Sequence, residues 1–131
     1  MIGKKMEFVV YLGQEFTIEW YYDEKEKSQA FEYFEELDDS QKRQLLKLVK
    51  LMGDIGEIKN KTKFRNEGDK IYAFKPQPDR FLCFFTDNAK VVITSAFVKK
   101  QQDLPKTEKD RALRYMSDYL HRVKKGTYYH E

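Results

Sequence analysis

Cysteine and histidine are nearly absent from this chain of 131 residues, which has one cysteine and two histidines. A single cysteine, Cys83, excludes an internal disulfide, and its bulky apolar neighbours predict a buried side chain. The histidines, His121 and His130, both lie near the carboxyl end, so the spacing of a zinc site is missing. The same scarcity argues against a nucleophile activated by histidine.

Long apolar runs and glycine-rich loops are also missing. No apolar stretch approaches the ~20 residues that cross a bilayer, and the first residues lack the apolar run and cleavage site of a signal peptide. No glycine-rich phosphate loop is present. We therefore expect a cytoplasmic protein with no membrane partner, no cofactor and no metal.

Charged and aromatic residues are abundant instead. Charged residues make up 36% of the chain and aromatic residues 15%, and the formal net charge is +3. Bases concentrate in residues 59–70, whereas acids dominate residues 23–39. The length and the apolar content predict a single domain over residues 1–131. Most aromatic rings are expected in the core, and a minority could stack on bases.

The amino-terminal segment predicts two strands. A two-residue turn at Gly13-Gln14 would join them, and apolar residues alternate in the second arm as on a strand with one buried face. The first arm could instead belong to a loosely attached extension at about residues 1–14.

Two helices are predicted next. The first runs from Glu24 to Leu37. The second is predicted to start at a capping box of Asp38 with Gln41, with Ser40 as a rival N-cap. Glycines 53 and 56 are expected to end it. The buried stripe of the second helix consists of Leu45, Leu48, Val49 and Met52.

Three strands follow, with the sequences KIYAFK, RFLCFF and KVVITSAF. Both faces of these strands are apolar, so one must pack on the helices and the other needs a helix, a partner or a nucleic acid. Thr107 is the expected N-cap of a last helix that ends near Gly126, and the tail after it is expected to fray. Its predicted apolar stripe consists of Ala112, Met116, Tyr119, Leu120 and Val123. The sequence thus predicts an α+β fold: a small antiparallel or mixed sheet, an N-terminal helical hairpin and a C-terminal helix.

A basic segment precedes these strands. Lys59, Lys61, Lys63 and Arg65 occupy every second position, and in an extended chain they would share one side at intervals of about 6.6 Å, from ~3.3 Å per residue. That spacing suits successive phosphates of a single strand, although a solvated basic loop is an equal alternative. Residues 66–69 are predicted to form a turn.

Lysine, arginine and tyrosine are the chemically active residues that remain. They can serve metal-independent RNA cleavage, in which the 2′-hydroxyl attacks phosphorus, a base removes its proton, cations stabilise the phosphoryl charge and an acid protonates the leaving oxygen. A lysine can act as the base only where burial or neighbouring cations lower its pKa.

The order of motifs resembles the RelE/ParE toxin superfamily, and more closely its phage-derived, HigB-like branch. The resemblance covers roughly Phe16 to Leu120. The matching segments are Ala73-Phe74-Lys75, Asp79-Arg80, Asp87-Asn88, Phe97-Val98-Lys99-Lys100, Asp103-Leu104-Pro105, and Ala112 with Arg114. Lys75 stands where the family usually has Arg, and Asp79, where it usually has Tyr, would place an acid beside the site.

The resemblance implies a toxin of a type II toxin–antitoxin system, an endoribonuclease that cleaves mRNA on the ribosome. Its expected partners are a helix-turn-helix antitoxin, in a hetero-oligomer, and mRNA. Arg80 is expected to stabilise the phosphoryl charge, and Lys61 and Lys63 to position RNA or transfer protons. The expected RNA-binding residues are Lys59, Arg65, Lys75, Lys99 and Lys100. Tyr119 is more readily explained by core packing. The alternatives are a ParE-like gyrase inhibitor that cleaves no nucleic acid and an inactive antitoxin-binding module.

Overall fold

A mixed sheet of six strands, with helices on both of its faces, is formed by residues 7–129, which are the residues that the computed structural model describes. In chain order the elements are β1 (Val9–Leu12), β2 (Thr17–Trp20), α1 (Gln29–Glu35), α2 (Asp39–Ile55), β3 (Phe64–Gly68), β4 (Ile71–Phe74), β5 (Asp79–Phe85), β6 (Lys90–Val98) and α3 (Lys106–Lys125). The strands lie in the order β1-β2-β6-β5-β4-β3, and only β2 and β6 run parallel. The predicted α+β class is confirmed.

The sheet separates two cores. Phe81 and Cys83 of β5 point into the core beneath α1 and α2, whereas Leu82 and Phe84 point into the core beneath α3. The second apolar face of the sheet is therefore covered by the chain's own last helix. Cys83 is fully buried, as predicted, and burial raises the pKa of its thiol. No helix in residues 7–129 is both long enough and apolar enough to span a membrane.

The amino-terminal hairpin differs from its prediction at the turn and in burial. Residues 13–16 form the connection, with the Gly13 amide donating to the Phe16 carbonyl oxygen over 3.0 Å, so the two-residue turn is wrong. Glu19 is only 3% exposed, so β2 is buried on both faces rather than one. β1 pairs with β2, which favours the strand over a loose arm for residues 9–12. Residues 1–6 of the predicted extension lie outside the described residues.

The two helices on one face begin and end at local signals. α1 starts five residues later than predicted, because the Asp23 carboxylate accepts from the Lys25 and Lys27 amides and holds a turn before it. The capping box at the start of α2 is confirmed, with Asp38 accepting from the Gln41 amide over 2.8 Å. α2 ends at the left-handed glycine 56, whereas glycine 53 lies inside the helix.

Three predictions near the carboxyl end are wrong. α3 begins directly after Pro105, whose fixed φ suits a helix start, and not after Thr107. Leu120 is 49% exposed and lies outside the apolar stripe. Tyr128 does not fray: it is 1% exposed, and its hydroxyl accepts from the Tyr22 amide over 3.0 Å. The predicted end of α3 at Gly126 is confirmed.

The basic segment is not extended. The Asn60 carbonyl oxygen accepts from the amides of Lys63 and Phe64, over 2.9 and 3.0 Å, and this turn breaks the expected alternation. The Asn60 side chain also accepts from the backbone amide of Thr62, which explains why the chain turns there. The predicted turn at residues 66–69 is wrong as well, because β3 continues to residue 68 and the reversal lies at Asp69-Lys70, which take φ of 54° and 72°.

Candidate functional site

A cleft of about 170 Å³ lies on the α3 side of the sheet, where β3, β4 and β5 meet the segment after β6. Strand alternation brings its side chains together, because residues two apart on a strand share a face. Its apolar lining residues are Ala73, Leu82, Phe97 and Leu104. Its polar lining residues are Arg65, Glu67, Lys75, Arg80, Lys99, Gln102 and Asp103. Four cations and two carboxylates therefore surround an apolar floor.

Arg80 is the most buried cation of the cleft, at 6% exposed. Its Nη1 atom donates to the Asp79 carbonyl oxygen over 2.9 Å, and both Nη atoms lie 3.4 Å from Gln77 Oε1. These acceptors are neutral, so they orient the guanidinium without neutralising its charge. Burial lowers the pKa of Arg80, and the negative charge of the nearby Glu67 carboxylate acts in the opposite direction and raises it. An oriented, desolvated guanidinium is well suited to hold a phosphate with two hydrogen bonds.

Lys75 faces the same cleft from the end of β4. Its Nζ donates to the Lys61 carbonyl oxygen over 3.1 Å. Burial is the main cause of a lowered pKa at Lys75, and the positive charges of Arg80 and Arg65 lower this pKa further. Because a lower pKa means a more readily released proton, the Lys75 ammonium is a stronger acid than that of an exposed lysine.

Glu67 is a cleft residue that sequence reasoning missed. Residues 66–69 had the composition of a turn, but Glu67 lies on β3 two residues after Arg65, so both side chains reach the cleft. The signal available in the sequence was the alternation of the basic segment: two positions beyond Arg65, the same alternation reaches Glu67. Gln102, in the segment after β6, had no comparable signal.

Asp79 does not place its acid beside the cleft. Its carboxylate is buried on the opposite face of β5, where the Tyr33 hydroxyl donates to it over 2.5 Å and Gln41 Nε2 over 3.2 Å. The expectation of an acid next to the site is therefore wrong, because neighbouring residues on a strand point to opposite faces. Asp79 instead joins β5 to α1 and α2.

The structure brings together only part of the predicted site. Arg65, Lys75, Arg80 and Lys99 share the cleft. Lys59 and Lys61 line a separate, larger groove, and Lys63 and Lys100 are exposed and line neither. Tyr119 is a buried residue of α3, and its hydroxyl oxygen lies 2.6 Å from that of Tyr129, in agreement with core packing. Within residues 7–129, no three His, Cys, Asp or Glu side chains are grouped so as to hold a metal ion.

The sequence matches the family described as phage derived protein Gp49-like (DUF891) over residues 32–117, about two thirds of the chain. The chain belongs to the phage-derived Gp49-like family. The matched span of this Gp49-like protein runs from α1 into α3 and contains every residue that lines the cleft. No curated protein matches the sequence.

Proposed function

We propose that this Gp49-like protein is the toxin of a type II toxin–antitoxin system and cleaves mRNA on the ribosome. The proposal places it in the HigB-like branch of the RelE/ParE superfamily. One observation carries it: strands β3, β4 and β5 direct Arg65, Lys75 and Arg80 into a single cleft that also holds the Glu67 carboxylate. This is the set of groups that phosphodiester cleavage by an internal 2′-hydroxyl needs.

The phosphate is held by the cations. Arg80 is oriented by neutral acceptors from one side, which leaves its charge available to the phosphoryl oxygens as negative charge develops on them. Arg65 and Lys99, both exposed at the cleft, bind the flanking phosphates. Preorganised cations stabilise the transition state because they need no reorganisation when the charge appears.

Proton transfer is assigned to Glu67 and Lys75 rather than to Lys61 and Lys63, which do not line the cleft. Glu67 takes the proton of the 2′-hydroxyl as its oxygen bonds to phosphorus. Lys75 gives a proton to the 5′-oxygen as the bond between phosphorus and that oxygen breaks. The products are a 2′,3′-cyclic phosphate and a 5′-hydroxyl. A carboxylate suits the role of the base, and the Lys75 ammonium, whose pKa is lowered, suits the role of the acid.

The proposed partner is an antitoxin of the helix-turn-helix class, which would hold the toxin inactive in a hetero-oligomer. We further propose that residues 1–131 form one toxin domain. The apolar faces of the sheet are already covered within the chain, so the antitoxin is assigned to another surface.

Induced expression with mapping of mRNA ends tests the proposal. The wild-type protein should arrest growth and leave 2′,3′-cyclic phosphate ends. Arg80→Ala should slow cleavage by the purified protein by about 10²–10³-fold, the usual effect of removing one donor to a developing oxyanion, and should relieve the arrest. Arg43→Ala is the matched control, because Arg43 is exposed on α2, away from the cleft.

Two results would contradict the proposal. Inhibition of gyrase supercoiling without RNA cleavage would identify a ParE-like toxin. Tight binding to the product of a neighbouring gene, with neither growth arrest nor cleavage, would identify an inactive binding module.

A further inference from the structure

A second and larger groove, of about 880 Å³, lies between the carboxyl end of α2 and the edge of the sheet at β3 and β4. It is on the opposite face of the sheet from the cleft, because Phe64 and Tyr72 belong to the face that packs against α2. The proposed cleavage mechanism uses none of its aromatic residues.

The wall of the groove is aromatic. The rings of Phe64 and Tyr72 are stacked, with centroids 5.6 Å apart and an angle of 9° between the planes. Phe85 meets Tyr72 edge to face at 5.0 Å. Phe64 is buried, but Tyr72 and Phe85 are only half-buried, so part of their ring surface faces the groove.

The rim of the groove is basic. Its charged lining residues are Glu57, Lys59, Lys61, Arg65 and Lys75. The single acid, Glu57, lies 3.7 Å from Lys59, but both side chains are largely exposed, and such a pair is weak in water. An aromatic wall beneath a basic rim suits a single-stranded nucleic acid, whose bases stack while its phosphates meet the cations.

The groove and the cleft share two lining residues at the edge of the sheet. Arg65 and Lys75 line both cavities, and Lys75 Nζ donates to the carbonyl oxygen of Lys61, in the turn before β3. A strand whose phosphate occupies the cleft can therefore pass around the sheet edge into the groove.

We propose that the groove binds an unpaired nucleotide of the RNA substrate next to the cleaved phosphate, with its base stacked on the Tyr72 ring and in edge contact with Phe85. Lys59 and Lys61 hold the phosphates on either side of this nucleotide. The inference rests on the proposed ribonuclease function and adds a subsite for the flanking RNA. RNA is favoured over an antitoxin peptide by the basic rim and by the shared residues Arg65 and Lys75.

Binding of a fluorescent single-stranded RNA tests this subsite without cleavage. A 2′-O-methyl oligonucleotide lacks the attacking hydroxyl, so fluorescence anisotropy at fixed salt reports affinity alone. Tyr72→Leu should weaken binding about tenfold, as expected for loss of one stacked base, and Tyr72→Phe should bind as the wild type does. Tyr115→Leu is the matched control, because Tyr115 is a half-buried tyrosine of α3 outside both cavities.

A second pair of variants avoids any change to the packed aromatic rings. Lys59→Ala with Lys61→Ala removes two exposed charges, and should reduce the slope of log affinity against log salt by about 0.7 for each lost phosphate contact. Lys124→Ala with Lys125→Ala, also exposed, should leave the slope unchanged.

Unchanged RNA affinity in a folded Tyr72→Leu protein, together with an unchanged salt slope in the Lys59 and Lys61 variant, would overturn the subsite. So would loss of antitoxin binding in Tyr72→Leu with RNA affinity intact, since the groove would then be a protein-binding surface. These outcomes are separable from failure of the proposed function, in which the wild-type protein itself releases no cleaved mRNA.

Discussion

Asp79 and Arg80 show that two neighbouring residues of one strand can lie in different environments. The two residues are adjacent, yet Arg80 faces the cleft while the Asp79 carboxylate is enclosed by Tyr33 and Gln41 on the other face. Burial and the Asp79 carboxylate raise the pKa of Tyr33, so its hydroxyl remains a donor at neutral pH. The acid therefore stabilises the packing on the far face of β5 and does not line the cleft.

Lys75 should give cleavage a characteristic pH dependence. As the proposed acid it must be protonated, so the rate should fall as pH rises through its pKa, which burial and the neighbouring arginines lower. The fall should therefore occur at a lower pH than for an ordinary lysine. Lys75→Arg should be slower than the wild type below that pKa but should lose this fall, because arginine stays protonated. Single-turnover cleavage measured against pH checks the prediction.

The control for this measurement is Lys47→Arg, at an exposed lysine of α2 outside the cleft, which should keep the wild-type profile. A fall with pH that persists unchanged in Lys75→Arg would mean that another group donates the proton.

Sequence reasoning found the basic residues of the cleft and failed where the course of the backbone was misjudged. Arg80 and Lys75 could be predicted because basic residues and a family pattern mark them. The resemblance assigned RNA positioning or proton transfer to Lys61 and Lys63, and the regular spacing of an extended chain supported contact with phosphates, but the Asn60 turn removes that geometry. Glu67 was missed for the opposite reason, since a segment with turn-like composition is a strand.

At the scale of elements, the amino-terminal hairpin is held to α2 by a very close backbone approach. A Cβ added at Gly13 would overlap the backbone carbonyl group of Gly53. The Gly53 carbonyl oxygen accepts from the Glu15 and Phe16 amides, over 2.7 and 2.9 Å, and the Tyr11 hydroxyl donates to Asp54 over 2.7 Å. The hairpin and the last turn of α2 therefore form one unit.

Gly13→Ala should push the amino-terminal hairpin away from the last turn of α2. The new methyl group meets backbone rather than a flexible side chain, so the hairpin must move, and we expect a loss of about 1–3 kcal/mol in the free energy of unfolding. Urea denaturation followed by circular dichroism measures it. Gln14→Ala, at the next and exposed position, should change stability little; an equal loss there would mean that the glycine contact is unimportant.

Local signals account for the elements that could be predicted. The capping box of α2 and the apolar runs of β5 and β6 depend on residues close in sequence, and both were recognised. The contact between Gly13 and Gly53 joins residues 40 positions apart, and nothing in either neighbourhood marks it. Gly53 was therefore taken as a helix end, whereas it serves close packing.

At the scale of the whole molecule, the carboxyl-terminal tail completes the core beneath α3. Tyr128 packs against Tyr119 and Phe8. Tyr129 donates to the buried Glu19 over 2.6 Å, and Glu19 pairs with Lys90 over 3.2 Å. The tail was expected to fray because its sequence has no periodicity, and its partners Tyr22 and Glu19 lie 106 and 110 positions away.

Tyr128→Ala should destabilise the protein strongly. It removes a buried ring and the hydroxyl that accepts from the Tyr22 amide, and replacing a buried aromatic ring by alanine typically costs about 3–5 kcal/mol. Thermal and urea denaturation measure the loss. Thr127→Ala, at an exposed neighbour, is the control. A Tyr128→Ala protein as stable as the wild type would show that the core beneath α3 does not depend on the tail.

The buried tail also links the stability of the cleft to residues far from it in the sequence. Tyr128 contacts both β2 and α3, through the Tyr22 amide and the Tyr119 ring. The core that it completes includes Leu82 and Phe97, which also line the cleft. Release of the tail would therefore expose the underside of the cleft floor to water, and the cleft would lose its shape in the same cooperative step as the core beneath α3.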